Sequence, residues 1–419
     1  MKQPVLLNRI GARDRSGGTP ETNTLADGHG VAVHDRLEVS SMQGCGVPPT
    51  IPTGIALPCL AALAPDWHEL RRQEDAPLLE ELGFEELTPL TASLLLGLVL
   101  GCAYGALAQR SAFCLRRGLV GQWRDCLPAL GTWVMALACA IVGTRLAVAL
   151  DLISFETHRF LSPDLPVASV LLGGALFGAG MVLTGGCVSR LTVLAGAGNL
   201  RSLLVLIVFA ITAHAVMKGA LAPIREALGN ATLAGGEAVA LSAWPGGEVW
   251  PLVIAGAAFV CALLSRARVS HLVMAGAIGL LVPLGWIGTG LVLLDDFDPI
   301  PVQSMGFTGP MADTLFWAVA ATSIPAGFGA GLVAGVLLGS LAAALAAGEF
   351  QWRSLEGPRQ TGRYLAGAVM MGVGGVLAGG CTVGAGLSGV STASLAALLA
   401  LAAMVVSART VGRRLAARW

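Results

Sequence analysis

Two thiols in this sequence have the spacing and the surroundings that could do chemistry. Cys187 and Cys381 each follow a pair of glycines inside an apolar stretch, and they lie 194 residues apart (381 − 187). A thiol is a weak hydrogen-bond donor with a soft, polarizable sulfur. Phosphate and sulfate sites are more commonly built from arginine, serine and backbone N–H groups, so paired thiols favour a ligand that itself carries sulfur. A single such cysteine is more often a small buried residue, but the repeated context favours a functional role for both.

The glycines before each thiol predict a break in a membrane helix. Gly186 and Gly380 each complete a Gly-Gly pair, and adjacent glycines let the backbone turn. A broken helix is tolerated in a membrane only where protein buries it or where it lines a wet cavity, and its exposed N–H groups suit an anion. The sequence therefore predicts two re-entrant loops that enter from opposite faces and meet at a central neck.

Composition indicates a membrane protein. The 419 residues are 55% hydrophobic and 12% charged, with a mean hydropathy of +0.73, whereas soluble domains are about 25% charged. Basic and acidic residues number 26 each, which argues against a nucleic-acid partner. No Cys-x-x-Cys spacing or other motif indicates a metal or a cofactor. A span needs ~20 mostly apolar residues, and nine stretches qualify or nearly qualify: about 90–108, 125–150, 167–185, 200–222, 249–265, 269–294, 325–348, 363–380 and 393–411.

An internal repeat relates the two halves of the chain. The offset of 194 residues also aligns Gln109 with Gln303 and Phe113 with Phe307, but it places Thr308 where the first half has Cys114. We therefore expect an all-α polytopic fold of about nine transmembrane helices in two inverted repeats, an architecture with its site at the midplane. The predicted organisation is a polar, disordered tail (1–89), a first repeat (90–222), a connecting loop and linking span (223–269), a second repeat (270–411) and a basic cytoplasmic tail (412–419).

Arginine placement predicts the orientation. Short connections rich in Lys and Arg lie in the cytoplasm, and arginines cluster after the first span, between the fifth and sixth, and after the last. The C-terminus is therefore predicted to be cytoplasmic. Arg110 precedes Cys114 by four residues, and either attracts an anion or only marks this face. Arg190 follows Cys187 by three residues and is the better candidate for a positive charge at the neck.

Four segments resemble the YeeE/YedE sulphur-transport family, in the expected order across about 90–411: Gln109–Cys114, Thr184–Cys187, Phe307–Pro310 and Ala378–Cys381. The resemblance implies a bacterial inner-membrane protein, shaped like an hourglass, that takes up thiosulfate and has a TusA-like cytoplasmic sulfur carrier as its partner. It further implies that three cysteines relay the ion by S–H hydrogen bonds. The predicted substrate-binding residues are thus Cys114, Cys187, Cys381, Gly186, Gly380, Arg110, Arg190 and Thr308.

Other functions stay open from the sequence. Some family relatives are linked to selenium, so a selenium-containing compound is an alternative substrate. A membrane sulfurtransferase or thiol oxidoreductase would form persulfides on these cysteines, but no basic residue adjoins each thiol to generate thiolate, and we predict that the protein is not an enzyme. A scaffold that only recruits a sulfur carrier to the membrane is the third possibility.

Overall fold

The apolar stretches of the sequence fold into helices. The structure, a computed structural model, describes residues 88–155, 158–234, 239–247, 249–293, 300–354 and 357–416. These residues belong to one packing unit, Arg71–Trp419. The predicted tail, 1–89, lies almost wholly outside the described residues. The helices are α1 Pro89–Ser111, α2 Leu115–Leu119, α3 Trp123–Ala149, α4 Val167–Thr184, α5 Val188–Gly196, α6 Leu200–Met217, α7 Ala222–Gly229, α8 Val249–Leu264, α9 Val269–Ile287, α10 Thr308–Val319, α11 Phe328–Ala346, α12 Pro358–Leu377 and α13 Leu395–Ala416.

Local sequence explains where α1 begins, and a few short elements connect the helices. The Thr88 hydroxyl accepts a hydrogen bond from the Thr91 N–H at 3.3 Å, and Pro89 is the first residue of α1, a favourable helix start. Two wider π-type turns follow α9 and precede α13, at Gly288–Val292 and Gly384–Gly389. Strand β1, Asp164–Leu165, pairs antiparallel with β2, Leu233–Ala234.

Seven helical segments in the described chain are long and apolar enough to cross a membrane. The expectation of a mostly helical, multi-pass membrane protein is therefore confirmed, although the count of nine is supported only in part. The fifth predicted span is α8, an apolar helix of 16 residues. The eighth is α12, which is not among the seven; its first two turns carry Arg359 and Arg363. The segments that qualify are 89–119, 123–149, 167–196, 200–217, 269–292, 328–346 and 395–416.

Glycines bring helices of the first half into backbone contact with helices of the second. A Cβ at Gly101 of α1 would collide with the Leu332 carbonyl of α11, and one at Gly335 with the Leu98 carbonyl of α1. Helices α4 and α12 cross in the same way, since a Cβ at Gly180 would lie 2.6 Å from the Gly367 carbonyl. Small residues allow this close approach in membranes, so the core of the molecule lies between the two halves.

Candidate functional site

Both Gly-Gly pairs end a helix, as their sequence predicts. Helix α4 ends at Thr184 and Gly185 has φ of 87°; helix α12 ends at Leu377 and Gly379 has φ of 74°. Such left-handed backbone is easy only for glycine. An Arg116 guanidinium N–H donates to the Gly185 carbonyl at 3.3 Å, which fixes the first of the two turns. Each thiol therefore follows a sharp reversal of the backbone.

A peptide N–H three residues further along the chain faces each of the three predicted sulfurs. Cys114 and Cys187 immediately precede α2 and α5 as N-cap residues. The peptide N–H groups of Arg117 and Arg190, three residues further on, face these two sulfurs. At Cys381 the N–H three residues further on, from Gly384, donates to the sulfur at 3.4 Å. These N–H groups have no partner within the helix, so each sulfur lies at a positive helix or turn end.

Cys114, Cys187 and Cys381 form one buried group, the thiol cluster. All three are free cysteines with no more than 3% of their surface exposed. The Cys187 thiol is the central member, because it interacts with both of the others. It also lies 3.3 Å from the Ser189 hydroxyl. The fold thus brings together three segments that are far apart in sequence.

Two threonine hydroxyls beside the cluster are buried without a hydrogen-bond partner. Thr382 faces Cys187, and its Oγ1 makes no hydrogen bond of ordinary geometry. Thr308 is 6% exposed, and its Oγ1 is also unpartnered. A buried hydroxyl that makes no hydrogen bond costs about 1–3 kcal/mol. A ligand that accepts hydrogen bonds from these groups would recover that cost.

A cavity of about 540 Å³ leads to one member of the cluster. Its wall includes Cys381, the glycines before it and Thr308, whereas Cys114 and Cys187 do not line it. The 159–161 turn forms another part of the wall, and it is held there because the Ser394 hydroxyl donates to the Phe160 carbonyl at 2.6 Å. Of the three thiols, Cys381 is therefore the one that lines this cavity.

The cavity carries more positive than negative charge. Arg159, Arg225 and His158 line it, together with one carboxylate, Asp313. Burial, and then the neighbouring Arg159 charge, lower the pKa of His158 to about 4, so this imidazole is neutral at physiological pH. Burial also lowers the pKa of Arg159. That guanidinium lies over the Phe160 ring at 5.1 Å from its centroid. The arrangement can attract an anion.

The predicted arginines are placed differently from each other. Arg190 is half-buried, donates to the Ala108 carbonyl at 3.1 Å and interacts with Cys114 and Cys187. Arg110 is exposed in the last turn of α1, in contrast to the buried thiols. Gly186 and Gly380 are buried at the two turns. At Gly380 a Cβ would lie 2.7 Å from the Ala385 nitrogen, so the backbone is closely packed there.

Sequence reasoning missed Tyr104 and the cavity arginines. Tyr104 is 1% exposed and interacts electrostatically with all three thiols. It is one of only two tyrosines in the chain, and this rarity was the feature of the sequence that could have drawn attention to it. Arg159 and Arg225 lie in connections between spans, where arginine usually only marks a membrane face. Among the residues that the structure describes, no group of three His, Cys, Asp or Glu side chains could hold a metal ion.

Comparison with known proteins adds an independent finding. A family model described as "Sulphur transport" matches residues 110–410. The thiosulfate transporter TsuA of Escherichia coli (strain K12) is 26% identical over 324 residues, which cover 70% of this chain and 86% of that protein. The thiosulfate transporter TsuA of Spirochaeta thermophila is 26% identical over 321 residues, or 73% of this chain and 93% of that protein. The residues matched by the family model include Cys114, Cys187 and Cys381.

Proposed function

Because the chain belongs to the sulphur-transport (YeeE/YedE) family of multi-pass membrane proteins, we propose that it takes up thiosulfate through a pathway lined by Cys381, Cys187 and Cys114. One observation carries the proposal. Three buried free thiols from distant segments lie in one group with Cys187 near both others, and one of them, Cys381, lines a positively charged cavity. The two relatives named thiosulfate transporters support the choice of ion.

The first step is attraction into the cavity. Thiosulfate is a dianion, and a cavity with low-dielectric walls and positive side chains raises the local concentration of such an ion. Arg159 and Arg225 supply the charge, and Asp313 offsets part of it. At the wall formed by Gly379, Gly380 and Cys381, the dianion would meet the Gly384 N–H group and the unpartnered Thr308 hydroxyl.

The second step is passage along the thiol cluster. Thiols hold a sulfur anion through weak S–H hydrogen bonds, and weak, multiple sites allow the ion to leave as well as to enter. Cys381 lines the cavity, Cys187 adjoins both other thiols, and Cys114 adjoins Cys187. The ion would therefore meet the thiols in the order Cys381, Cys187 and Cys114. No covalent bond to sulfur is required, which is consistent with a family of transporters rather than enzymes.

The two halves are proposed to be inverted repeats whose re-entrant loops form the neck. Adding 194 to the bounds of α4 gives a segment that overlaps α12, and the same offset carries α6 onto α13. It also relates the two left-handed glycines, Gly185 and Gly379. In this arrangement the cavity opens outside a bacterial inner membrane and Cys114 faces the cytoplasm. The C-terminus then lies on the same side as Arg116 and Arg117, next to α2, where a TusA-like sulfur carrier would receive the ion.

The deciding experiment is uptake by purified protein in liposomes, with labelled thiosulfate, sulfate and selenite compared side by side. Thiosulfate should enter in preference to the other two. Cys187→Ala and Cys381→Ala should each lower uptake by about tenfold or more, the effect of losing one hydrogen bond to a charged ligand.

The control is Cys261→Ala, since Cys261 is an exposed thiol of α8 outside the cluster. Preferential entry of selenite would mean that the transported ion is a selenium compound and not thiosulfate. Full thiosulfate uptake by Cys187→Ala protein would exclude passage along the cluster, and absence of uptake by the wild-type protein would exclude thiosulfate transport itself.

A further inference from the structure

Tyr104 places a phenol hydroxyl among the three thiols. The residue lies in α1, and its side chain is almost completely buried, with 1% exposed. Its hydroxyl lies near the Ser189 hydroxyl and near the sulfurs of Cys187, Cys381 and Cys114. The proposed pathway therefore contains a phenol hydroxyl in addition to the thiols and the Ser189, Thr308 and Thr382 hydroxyls.

The Tyr104 ring is fixed by two phenylalanines that the internal repeat relates to each other. The centroid of Phe307 lies 5.3 Å from that of Tyr104, and the centroid of Phe113 lies 6.4 Å away, edge-on at 86°. Phe113 and Phe307 are 3% and 0% exposed. Aromatic pairs at such distances and angles pack favourably. The hydroxyl is thus held at a defined place, between a ring that lines the cavity (Phe307) and one that adjoins Cys114.

The two ends of thiosulfate differ chemically, and the pathway has a partner for each. The terminal sulfur is soft and suits a thiol, whereas the three oxygens are strong acceptors. A phenol O–H is a much stronger donor than S–H, and a hydrogen bond between a donor and a charged acceptor is shorter and stronger than a neutral one. A neck built only from thiols would hold the oxygens poorly.

We propose that Tyr104 is a specificity-determining residue that donates a hydrogen bond to a thiosulfate oxygen while the terminal sulfur contacts the thiol cluster. The inference rests on the proposed function and deepens it. It gives a role to a phenol hydroxyl that is enclosed near the three thiols. It also gives the ion an orientation, with its sulfur towards the cysteines and its oxygens towards Tyr104 and Ser189.

The first test is Tyr104→Phe, which keeps the ring and removes only the hydroxyl. In liposomes we expect KM for thiosulfate to rise about tenfold, as expected for one lost hydrogen bond to an anion, with a smaller change in the maximal rate. The matched control is Tyr364→Phe. Tyr364 is the other tyrosine of the chain, and it bonds Arg201 and Gln360 instead. Its loss should leave KM unchanged.

The second test does not alter Tyr104. In Tyr364→Phe protein Tyr104 becomes the only tyrosine of the chain, so its Cζ, labelled with ¹³C, gives a single NMR signal. Saturating thiosulfate should shift that signal, and the double variant Tyr104→Phe/Tyr364→Phe should show no tyrosine signal. This measurement stays decisive if Tyr104→Phe protein fails to accumulate.

The outcomes separate the two proposals. Uptake by the wild-type protein with an unchanged KM in Tyr104→Phe, or an unshifted NMR signal at saturating thiosulfate, would overturn the role of Tyr104 and leave the thiosulfate pathway standing. Equal KM increases in Tyr104→Phe and Tyr364→Phe would mean a general structural effect, and would also overturn it. No uptake by the wild-type protein would overturn the transport proposal, and this inference with it.

Discussion

The left-handed turn at Gly185 offers a sharp test of how the thiol cluster is positioned. A Cβ added there would have no atom within 4 Å, while φ is 87°. Gly185→Ala therefore tests the backbone conformation alone, without a collision. A left-handed conformation costs a residue with a Cβ roughly 1–2 kcal/mol. That cost reduces the population of the native turn by a factor of about 5–30 relative to its alternatives.

The expected result is a loss of transport larger than the loss of stability. Straightening the turn lets α4 continue past Thr184 and moves Cys187 away from Cys114 and Cys381. Uptake in liposomes should fall by about 5–30-fold, and the melting temperature should fall by only a few degrees. The Arg116 hydrogen bond to the Gly185 carbonyl would be lost in the same step.

Two further variants make the reasoning refutable. Asparagine tolerates left-handed backbone better than alanine, so Gly185→Asn should restore most of the uptake. Gly256→Ala, in exposed helix α8 where a Cβ also meets nothing within 4 Å, should leave uptake unchanged. If Gly185→Ala and Gly256→Ala behave alike, or if Gly185→Asn is as impaired as Gly185→Ala, the turn does not position the thiol.

Two other predictions concern the cavity. The pKa of His158 is lowered from 6.5 to about 4. Between these two pH values the unfolded chain therefore binds a proton that the folded protein does not, and the stability of the protein falls as the pH drops from 7 to 5. The melting temperature of His158→Gln protein should fall less than that of the wild-type protein over this range. A result with identical pH profiles would contradict the burial of this imidazole. Arg159→Gln should slow uptake at low ionic strength and approach the wild-type rate at high salt, because ions screen charges beyond about 10 Å at 0.1 M. The control is Arg266→Gln between α8 and α9, and equal salt dependence in all three proteins would exclude steering by Arg159.

The sequence predicts the helices and the turns of the site well, because these depend on local features. Apolar stretches gave helices at each of the nine predicted positions, and the Gly-Gly pairs end α4 and α12 at the expected places. The predicted membrane character and family are confirmed. The two Gly-Gly pairs were recognisable because Gly185 and Gly379 have a conformational requirement that few other residues meet.

The sequence predicts long-range neighbours poorly. Nothing local places Arg159 in the wall of the same cavity as Cys381, since the position of its turn depends on the hydrogen bond from Ser394 to Phe160 across 234 residues. Tyr104 lies in an apolar helix whose composition only indicates a membrane span, and its role depends on what α5 and the second half bring next to it. Helix α12 illustrates the same limit, because its polar first turns precede the apolar stretch that was recognised.

The interlocked glycines of α1 and α11, and of α4 and α12, restrict how this molecule can move. Their backbones touch, so a rocking motion of one half against the other would have to pull apart contacts with no side chains to slide or repack. Helices packed in this way favour small motions of side chains and turns over the large rigid-body domain motions of many secondary transporters. We therefore expect an ion to pass between helices that hardly move, and rotamer changes of a few side chains at the neck to control its passage.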